Sequence, residues 1–282
     1  MISKLISTLP IISNQHSRSE KLYSILEEIS GTAIKESRLS LSDGDIQLGE
    51  LGNLKFPYHN MGAIDTLDLF GLDELIIFSF YWVNRKRYTR SADIGANLGL
   101  HSILMSRCGW QVNAYEPDPI HVKLLLRNLD LNQSANVTVF ENAISDKPGT
   151  LEFIRVLGNT TGSHLAGAKL NPYGQLERFP VNVLSIESVM SNVDFIKLDA
   201  EGQEKLILLA TDSNHWKTTD MILEVGSSEN ALGIFSHMNE IGVNLFSQKL
   251  NWNKVTSVEG MPNSYKEGSL FISAKSSMIW SE

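Results

Sequence analysis

Residues 91–119 carry a strand, a tight glycine turn, a helix and a second strand that ends in an acid, and few folds accommodate that run. Asp93-Ile94 closes the first strand, and Gly95-Ala96-Asn97-Leu98-Gly99 makes the turn. Leu100, Ile103 and Leu104 follow at helical spacing as an apolar stripe, and Arg107 extends it. Val112 to Tyr115 is a second short apolar strand with Glu116 at its carboxyl end. In an open α/β sheet, ligands bind outside the carboxyl ends of the strands. Asp93, the glycine turn and Glu116 are therefore expected to border one crevice.

The turn differs from the dinucleotide fingerprint Gly-x-Gly-x-x-Gly, whose middle glycine lets the backbone approach a pyrophosphate. Asn97 stands at that middle position, and its side chain hinders the approach. A ligand with a ribose and a free ammonium but no phosphate fits better, and S-adenosylmethionine (SAM) is such a ligand. Asp93 would face its amino-acid end, directly or through water. Backbone N–H groups around Gly95 and Gly99 would take its carboxylate near a helix start. Glu116 has acceptor sites enough for both ribose hydroxyls.

The chain has 282 residues and is 42% hydrophobic, enough for one large domain with a sizeable core. Its net charge of -8 disfavours a nucleic-acid surface, which needs clustered positive charge. The tight basic cluster of Arg85-Lys86-Arg87 and Arg90 reads as a solvated helix end. With a single cysteine, Cys108, no disulfide forms within the chain, so a reducing compartment is expected and Cys108 reads as a small buried hydrophobe. No apolar run reaches a membrane span, and Leu5–Ile12, interrupted by Pro10, lacks the features of a signal peptide. A cytoplasmic setting is expected.

Before the turn, Leu22, Ile25, Leu26 and Ile29 predict a helix stopping at Gly31. Asp45–Gly49 and Leu54–Pro57 predict a hairpin, and Asp73-Glu74 opens a strongly apolar helix through Val83. This segment either covers the cleft or serves as an oligomer arm. After Glu116, Asp118 caps a helix from Pro119 to Leu131 with Val122, Leu125, Leu126 and Leu129 inward. Val137–Phe140 is a strand, and Ala143–Ser145 with Thr150–Val156 reads as a hairpin around Asp146-Lys147-Pro148-Gly149. Leu157–Arg178, rich in glycine and hydroxyls, reads as a mobile or ligand-binding loop. Strands at Phe179–Val183, Val193–Leu198, Met221–Val225, Val243–Phe246 and Leu270–Ile272 complete the sheet, with helices near Ser185–Val189, Gln203–Leu209 and Asn230–Ile241.

Polar or acidic residues recur after successive strands: Asp93, Glu116, Glu141-Asn142, Asp199 with Glu201, and Glu224. Asn142-Ala143 is placed to meet an adenine. Asp199-x-Glu201-Gly202 puts two carboxylates on the loop leaving a buried strand, where they either serve proton transfer or cap the next helix. His101, one turn into the first helix, and His164, beside Ser163, are the other candidate bases. No metal-ligand spacing is present, so no metal is expected. The Asn-Pro-Pro-Tyr type of tetrapeptide is also absent, with Asp199-Ala200-Glu201-Gly202 standing in its place.

Taken together, Asp93-Ile94-Gly95-Ala96-Asn97-Leu98-Gly99, Tyr115-Glu116-Pro117, Asn142-Ala143-Ile144-Ser145-Asp146 and residues 194–204 (DFIKLDAEGQE) resemble the FkbM family of SAM-dependent methyltransferases. The resemblance runs from about Ser91 to Val225, and its last motif is the most specific. It implies an α/β, Rossmann-like class I SAM-methyltransferase sheet, mostly parallel with a terminal antiparallel strand. Residues 91–282 form that domain, and 1–90 a helix and hairpin elaboration. It implies a cofactor site of Asp93, Gly95, Asn97, Gly99, Glu116, Asn142 and Ala143, with Asp199 and Glu201 as the signature acids near the transferred methyl; by position alone His101 joins Asp199 in the expected cofactor site, and His164 joins Asp199 and Glu201 as a candidate catalytic residue. It implies O-methylation of a sugar, polysaccharide or other natural-product hydroxyl; neither the acceptor nor homo-oligomerisation is fixed. Ala210-Thr211-Asp212 departs from the family's small-residue turn. A nicotinamide oxidoreductase on a related fold and a non-catalytic SAM or glycan-binding module are the alternatives. Asn97 and the Asp199–Gly202 motif argue against the first, and acids at every strand end against the second.

Overall fold

A computed structural model describes residues 1–37, 44–168 and 174–280. The described elements run in this order: α1 (Ile2–Thr8), α2 (Lys21–Lys35), β1 (Asp45–Gln47), β2 (Asn53–Lys55), α3 (Leu72–Val83), β3 (Arg90–Ile94), α4 (Leu100–Arg107), β4 (Gln111–Tyr115), α5 (Pro119–Leu131) and β5 (Val137–Phe140). There follow β6 (Ala143–Ser145), β7 (Gly149–Val156), β8 (His164–Leu165), β9 (Leu176–Ser185), α6 (Ile186–Met190), β10 (Phe195–Leu198), α7 (Glu204–Leu209), β11 (Asp220–Glu224), α8 (Ser228–Glu240), β12 (Asn244–Ser247), β13 (Asn253–Lys254) and β14 (Ser269–Ser273).

The main sheet has eight strands in the order β13-β12-β14-β11-β10-β3-β4-β5. The five strands from β11 to β5 are parallel, and β14 returns antiparallel between β11 and β12. From β3 the chain winds outward to β4 and β5, then crosses back to β10 and β11. The switch in direction opens a crevice between the ends of β3 and β10, where such sheets bind ligands.

Strand alternation sorts side chains to two faces. Ile196 and Leu198 of β10, with Ala92 and Ile94 of β3, pack toward α7 and α8 in one apolar cluster. Phe195, on the opposite face, packs with Trp110 and Tyr81 in the cluster that also holds Leu9, Leu54 and Phe78. Lys197 and Asp93 sit opposite each other in register and share that second face. Two charged side chains are thus laid into the layer that α3 covers. Residues before β3 complete this core: Phe80 contacts Phe195, Phe271 and Trp280 with ring centroids 5.4–5.9 Å apart. Burying each such ring contributes about 1.5–3 kcal/mol. Burial also pushes the Cys108 thiol up to about 12, so it behaves as the apolar residue expected.

Four local expectations need correction. The helix α2 runs through Gly31 to Lys35 and buries Tyr23, Ser30 and Ile34, while Ile25 and Ile29 are exposed. One glycine costs a helix only about 1 kcal/mol, which the anchoring of Tyr23 and Ile34 offsets. On α5, Leu126 is exposed, and His121 and Asn128 occupy inner positions; the Asn128 amide donates to the Leu98 carbonyl. Ala143–Ser145 does not pair with the strand after the 146–149 turn. It pairs parallel with β9, whose residues Leu176 to Val183 also bind β7 antiparallel, giving a second sheet ordered β6-β9-β7-β8. The long β7–β9 ladder satisfies more backbone groups than a three-residue hairpin arm can. Finally, the expected loop 157–178 contains β8 and the start of β9; its residues 169–173 lie outside the described residues. Among the described residues, no helix is long and apolar enough to cross a membrane, and no cluster of His, Cys, Asp or Glu has the makings of a metal site.

Candidate active site

The β3 turn is shaped by close approach. Gly95 adopts φ +75°, and a Cβ there would lie 1.8 Å from the Asp199 carbonyl oxygen. The Asp199 N–H in turn donates to the Ile94 carbonyl at 3.0 Å. Only a glycine lets the ends of β3 and β10 meet this closely. Asn97 takes the left-handed conformation at φ +50°, which turns its N–H onto Glu116 Oε2 at 2.8 Å. Glu116 Oε1 accepts from the Asp118 N–H at 2.9 Å. Each carboxylate oxygen therefore keeps one acceptor site for a ligand. Burial pushes the Glu116 carboxyl up to about 8, against the two backbone N–H groups that favour its ionised form.

The principal cavity spans about 660 Å³, part of it open to solvent. Gly95, Asn97, Glu116, Asn142, Ala143 and Asp199 line it, as do Glu201 and His164. The second sheet roofs it with Phe153, and with Thr160, Thr161 and Ser163. Among its lining residues, Asn97 Oδ1, His121 Nε2 and Thr160 Oγ1 are buried without partners. Orphaned polar atoms around one cavity mark a ligand's place.

A narrower neck adjoins this cavity through Gly95, Asn97 and Asp199, and it is lined also by Glu74, His101 and Lys197. Lys197 Nζ donates to Asp199 Oδ2 at 3.1 Å. Burial opposes the Lys197 charge, but Asp199, then Asp93 and Glu74, outweigh it and hold the ammonium above its ordinary value. Lys197 therefore keeps its proton and is no base. His101 has Nδ1 2.8 Å from the Tyr81 hydroxyl and Nε2 3.1 Å from Glu74 Oε2.

Of the residues expected from the sequence, eight border the principal cavity together. His101 borders only the neck. Asp93 and Gly99 line neither space: Asp93 is fully buried and accepts from the Ser102 hydroxyl at 2.6 Å, with Oδ1 unpartnered. Gly99 is the left-handed N-cap of α4, packed against Leu125. The Asp199–Gly202 turn is held by Glu204, whose buried carboxylate accepts from the Ala200 and Gly202 N–H groups. Glu201 itself sits at φ +49°, a strained position for a residue with a side chain. Lys197, Glu74 and His121 escaped the sequence reading. A lysine inside a buried strand was the available signal for the first, since such charges stay buried only when paired. Glu74 meets the site only through tertiary packing.

A mostly parallel sheet with a glycine turn, a ribose-suited acid and a second acidic loop at its switch point defines an α/β methyltransferase that uses a nucleoside cofactor. The family model for the methyltransferase FkbM domain matches residues 93–248, and the chain belongs to that family. SAM is its methyl donor, and the orphaned atoms and the Gly95 cradle fit that group. A methyltransferase designated sdnD from Sordaria araneosa is 28% identical over 159 residues, which cover 44% of this chain and 61% of that protein. Among solved structures, an O-methyltransferase from Bacillus cereus in complex with SAH matches with 12% identity and a TM-score of 0.37, over 69% of this chain and 78% of that one. The O-methyltransferase TomG from Streptomyces achromogenes, in complex with SAM, matches with 11% identity and a TM-score of 0.39, over 69% and 77%.

Gly95→Ala is expected to weaken SAM binding at least about tenfold, or ~1.4 kcal/mol, because the added methyl pushes the ends of β3 and β10 apart. Calorimetry on the folded variant checks this; wild-type affinity would mean that the two strand ends are free to separate.

Proposed function

We propose that this chain methylates a hydroxyl oxygen of a sugar, polysaccharide or other natural-product acceptor. The observation that carries the reading is the position of Asp199, which lines both the principal cavity and the neck and whose side chain is 35% exposed. When bound, SAM supplies an electrophilic methyl on a sulfonium. Glu116 accepts from the ribose hydroxyls, and Asn142 with the backbone of Ala143 meets the adenine. The backbone of residues 95–98 and the neck hold the amino-acid end, with Asp93 bracing the turn from behind through Ser102. Asp199 takes the acceptor's hydroxyl proton, and Glu201 and His164 line the acceptor's approach. Holding oxygen, carbon and sulfur in line is the larger part of such catalysis. Residues 1–90 act as an elaboration that walls the neck through α3. A single buried thiol suits a reducing compartment such as the cytoplasm.

The test is transfer of isotopically labelled methyl from SAM to a panel of sugars, polysaccharide fragments and hydroxylated natural products. Label in an ether linkage is the expected result. Label on nitrogen would overturn the O-methylation reading, and SAM binding without transfer to any acceptor would favour a binding module.

Glu116 gives a separate expectation. Its ionised form is the one that accepts two hydroxyls, and Asp118, Asp93 and His121 face it along with the Asn97 and Asp118 N–H groups. Because its carboxyl sits up at about 8 in the free protein, binding below that pH releases a proton. SAM affinity should therefore rise with pH and level off near 8. Glu116→Ala should flatten this dependence and cost roughly ten- to a hundred-fold in affinity, about 1.5–3 kcal/mol. Calorimetry from pH 6 to 9 reads both; a flat wild-type profile would remove the assignment.

A further inference from the structure

We propose that His121 is a second ribose-reading residue, set beside Glu116 so that one sugar hydroxyl bonds to both. The inference rests on the SAM reading of the cavity and adds a residue to it.

The geometry begins with the start of α5. Asp118 caps the helix, its Oδ1 accepting from the Ile120 N–H at 2.8 Å. Pro119 fixes the first turn, and His121 then falls on the inner side, only 5% exposed. His121 lines the principal cavity, as do Glu116 and Pro117. Nδ1 stands 3.9 Å from Glu116 Oε1, too far for a hydrogen bond between them. Nε2 is buried and has no partner. A structural histidine on an apolar helix face ordinarily satisfies both nitrogens. Here one is orphaned and the other stops short of the nearest carboxylate.

A ligand hydroxyl set between Nδ1 and Glu116 Oε1 bridges the gap between them. Ionised Glu116 only accepts, and the N–H of a neutral imidazole donates. A hydroxyl does both: its hydrogen goes to the carboxylate and its lone pair receives the imidazole N–H. A C–H at the same sugar carbon satisfies neither partner, and an ether oxygen satisfies only the histidine. Burial, the largest influence on His121, keeps it neutral by lowering its pKa; Asp118 pulls the other way, and His59 and Arg155 reinforce burial. The neutral ring leaves the negative charge of Glu116 available to the sugar rather than consuming it in an ion pair.

The experiment uses the full chain and calorimetry with S-adenosylhomocysteine and its 2′-deoxy and 3′-deoxy counterparts. Wild type should bind the parent about 10–100-fold more tightly than at least one deoxy compound, the scale of a charge-assisted bond plus a neutral one. In His121→Phe, the parent should weaken about tenfold while that deoxy compound stays nearly unchanged, so discrimination shrinks. His121→Asn, whose amide N–H still donates, should recover part of it. Thermal melting confirms that each variant is folded. The proposal is overturned if wild type does not discriminate, or if folded His121→Phe keeps the wild-type ratio, which would make the ring a packing element. Failure of wild type to bind the parent compound at all would instead strike the cofactor reading itself.

Discussion

Asp199→Asn should lower methyl transfer by ~10²–10⁴, the usual cost of a missing general base, while SAM affinity stays near that of wild type. The substitution keeps the side chain's shape. Lys197 loses its partner at 3.1 Å, but Asp93 and Glu74 still face it, so its buried charge keeps compensation. The loop keeps its form as well, since Glu204 and not Asp199 takes the Ala200 and Gly202 N–H groups. The loss should therefore appear in turnover and not in folding. Raised pH separates two roles for the carboxylate. If it removes the acceptor's proton, hydroxide restores part of the variant's rate; if it only aligns the hydroxyl, no recovery follows. Comparison of kcat, KM and SAM affinity between pH 7 and 9 reads this. Wild-type turnover in the variant would leave Asp199 with a role in the fold alone, and the base would then be sought at Glu201, His101 or His164.

The second large effect is one of stability. Arg155, 4% exposed, joins the second sheet to the start of α5: Nε and Nη2 donate to the two Asp118 oxygens at 2.7 and 2.6 Å, and Nη1 donates to Glu177 at 2.5 Å. Its guanidinium lies 4.6 Å from the Phe179 ring centre. Arg155→Met would leave Asp118 buried without its counter-charge. Breaking a buried pair from one side costs about 3–5 kcal/mol, and the lower end is expected because Glu177 is exposed. Burial raises the Asp118 carboxyl, but the hydrogen-bonded Arg155 guanidinium and the Ile120 N–H outweigh it and hold it below the ordinary range. A depressed carboxylate contributes stability above its unfolded pKa and loses it as pH falls through the folded value. The variant's deficit should thus be full at pH 7 and narrow in acid, where Asp118 is protonated in the variant first. Denaturant titrations at pH 7 and pH 4.5 check this; equal stability at pH 7 would show that the bridge contributes nothing net. SAM binding should weaken too, since the Asp118 N–H holds Glu116 Oε1.

Local pattern made the glycine turn, the strand-end acids and the α/β alternation readable. Asn97 announced a site without phosphate, and the Asp199–Gly202 motif pointed to a second acidic edge. What stayed hidden depends on contacts between distant residues. Nothing near Glu74 indicates that its carboxylate meets His101 or the field of Lys197. The exchange of Leu126 for His121 on α5 is a matter of helix rotation by a fraction of a turn, to which apolar spacing is insensitive. The strand Ala143–Ser145 is too short to specify its neighbour, so β9, some forty residues away in sequence, decides its pairing.

Phe80, with its neighbours on α3, lies against strands that come much later in the chain, and that placement sets the limits of any excised catalytic unit. The family match begins at Asp93, yet part of the apolar cover on one face of the sheet comes from upstream residues, Phe78, Phe80 and Tyr81 of α3 among them. Cut at that boundary, the fragment would lose the α3 rings that pack on Trp110, Phe195 and Phe271, and Lys197 and Asp93 would lose part of the low-dielectric cover that makes their attraction strong. The edge of kinship in the sequence and the edge of the cooperative unit do not coincide, and a minimal enzyme should be sought by keeping the upstream helix and not by trimming to the shared motif.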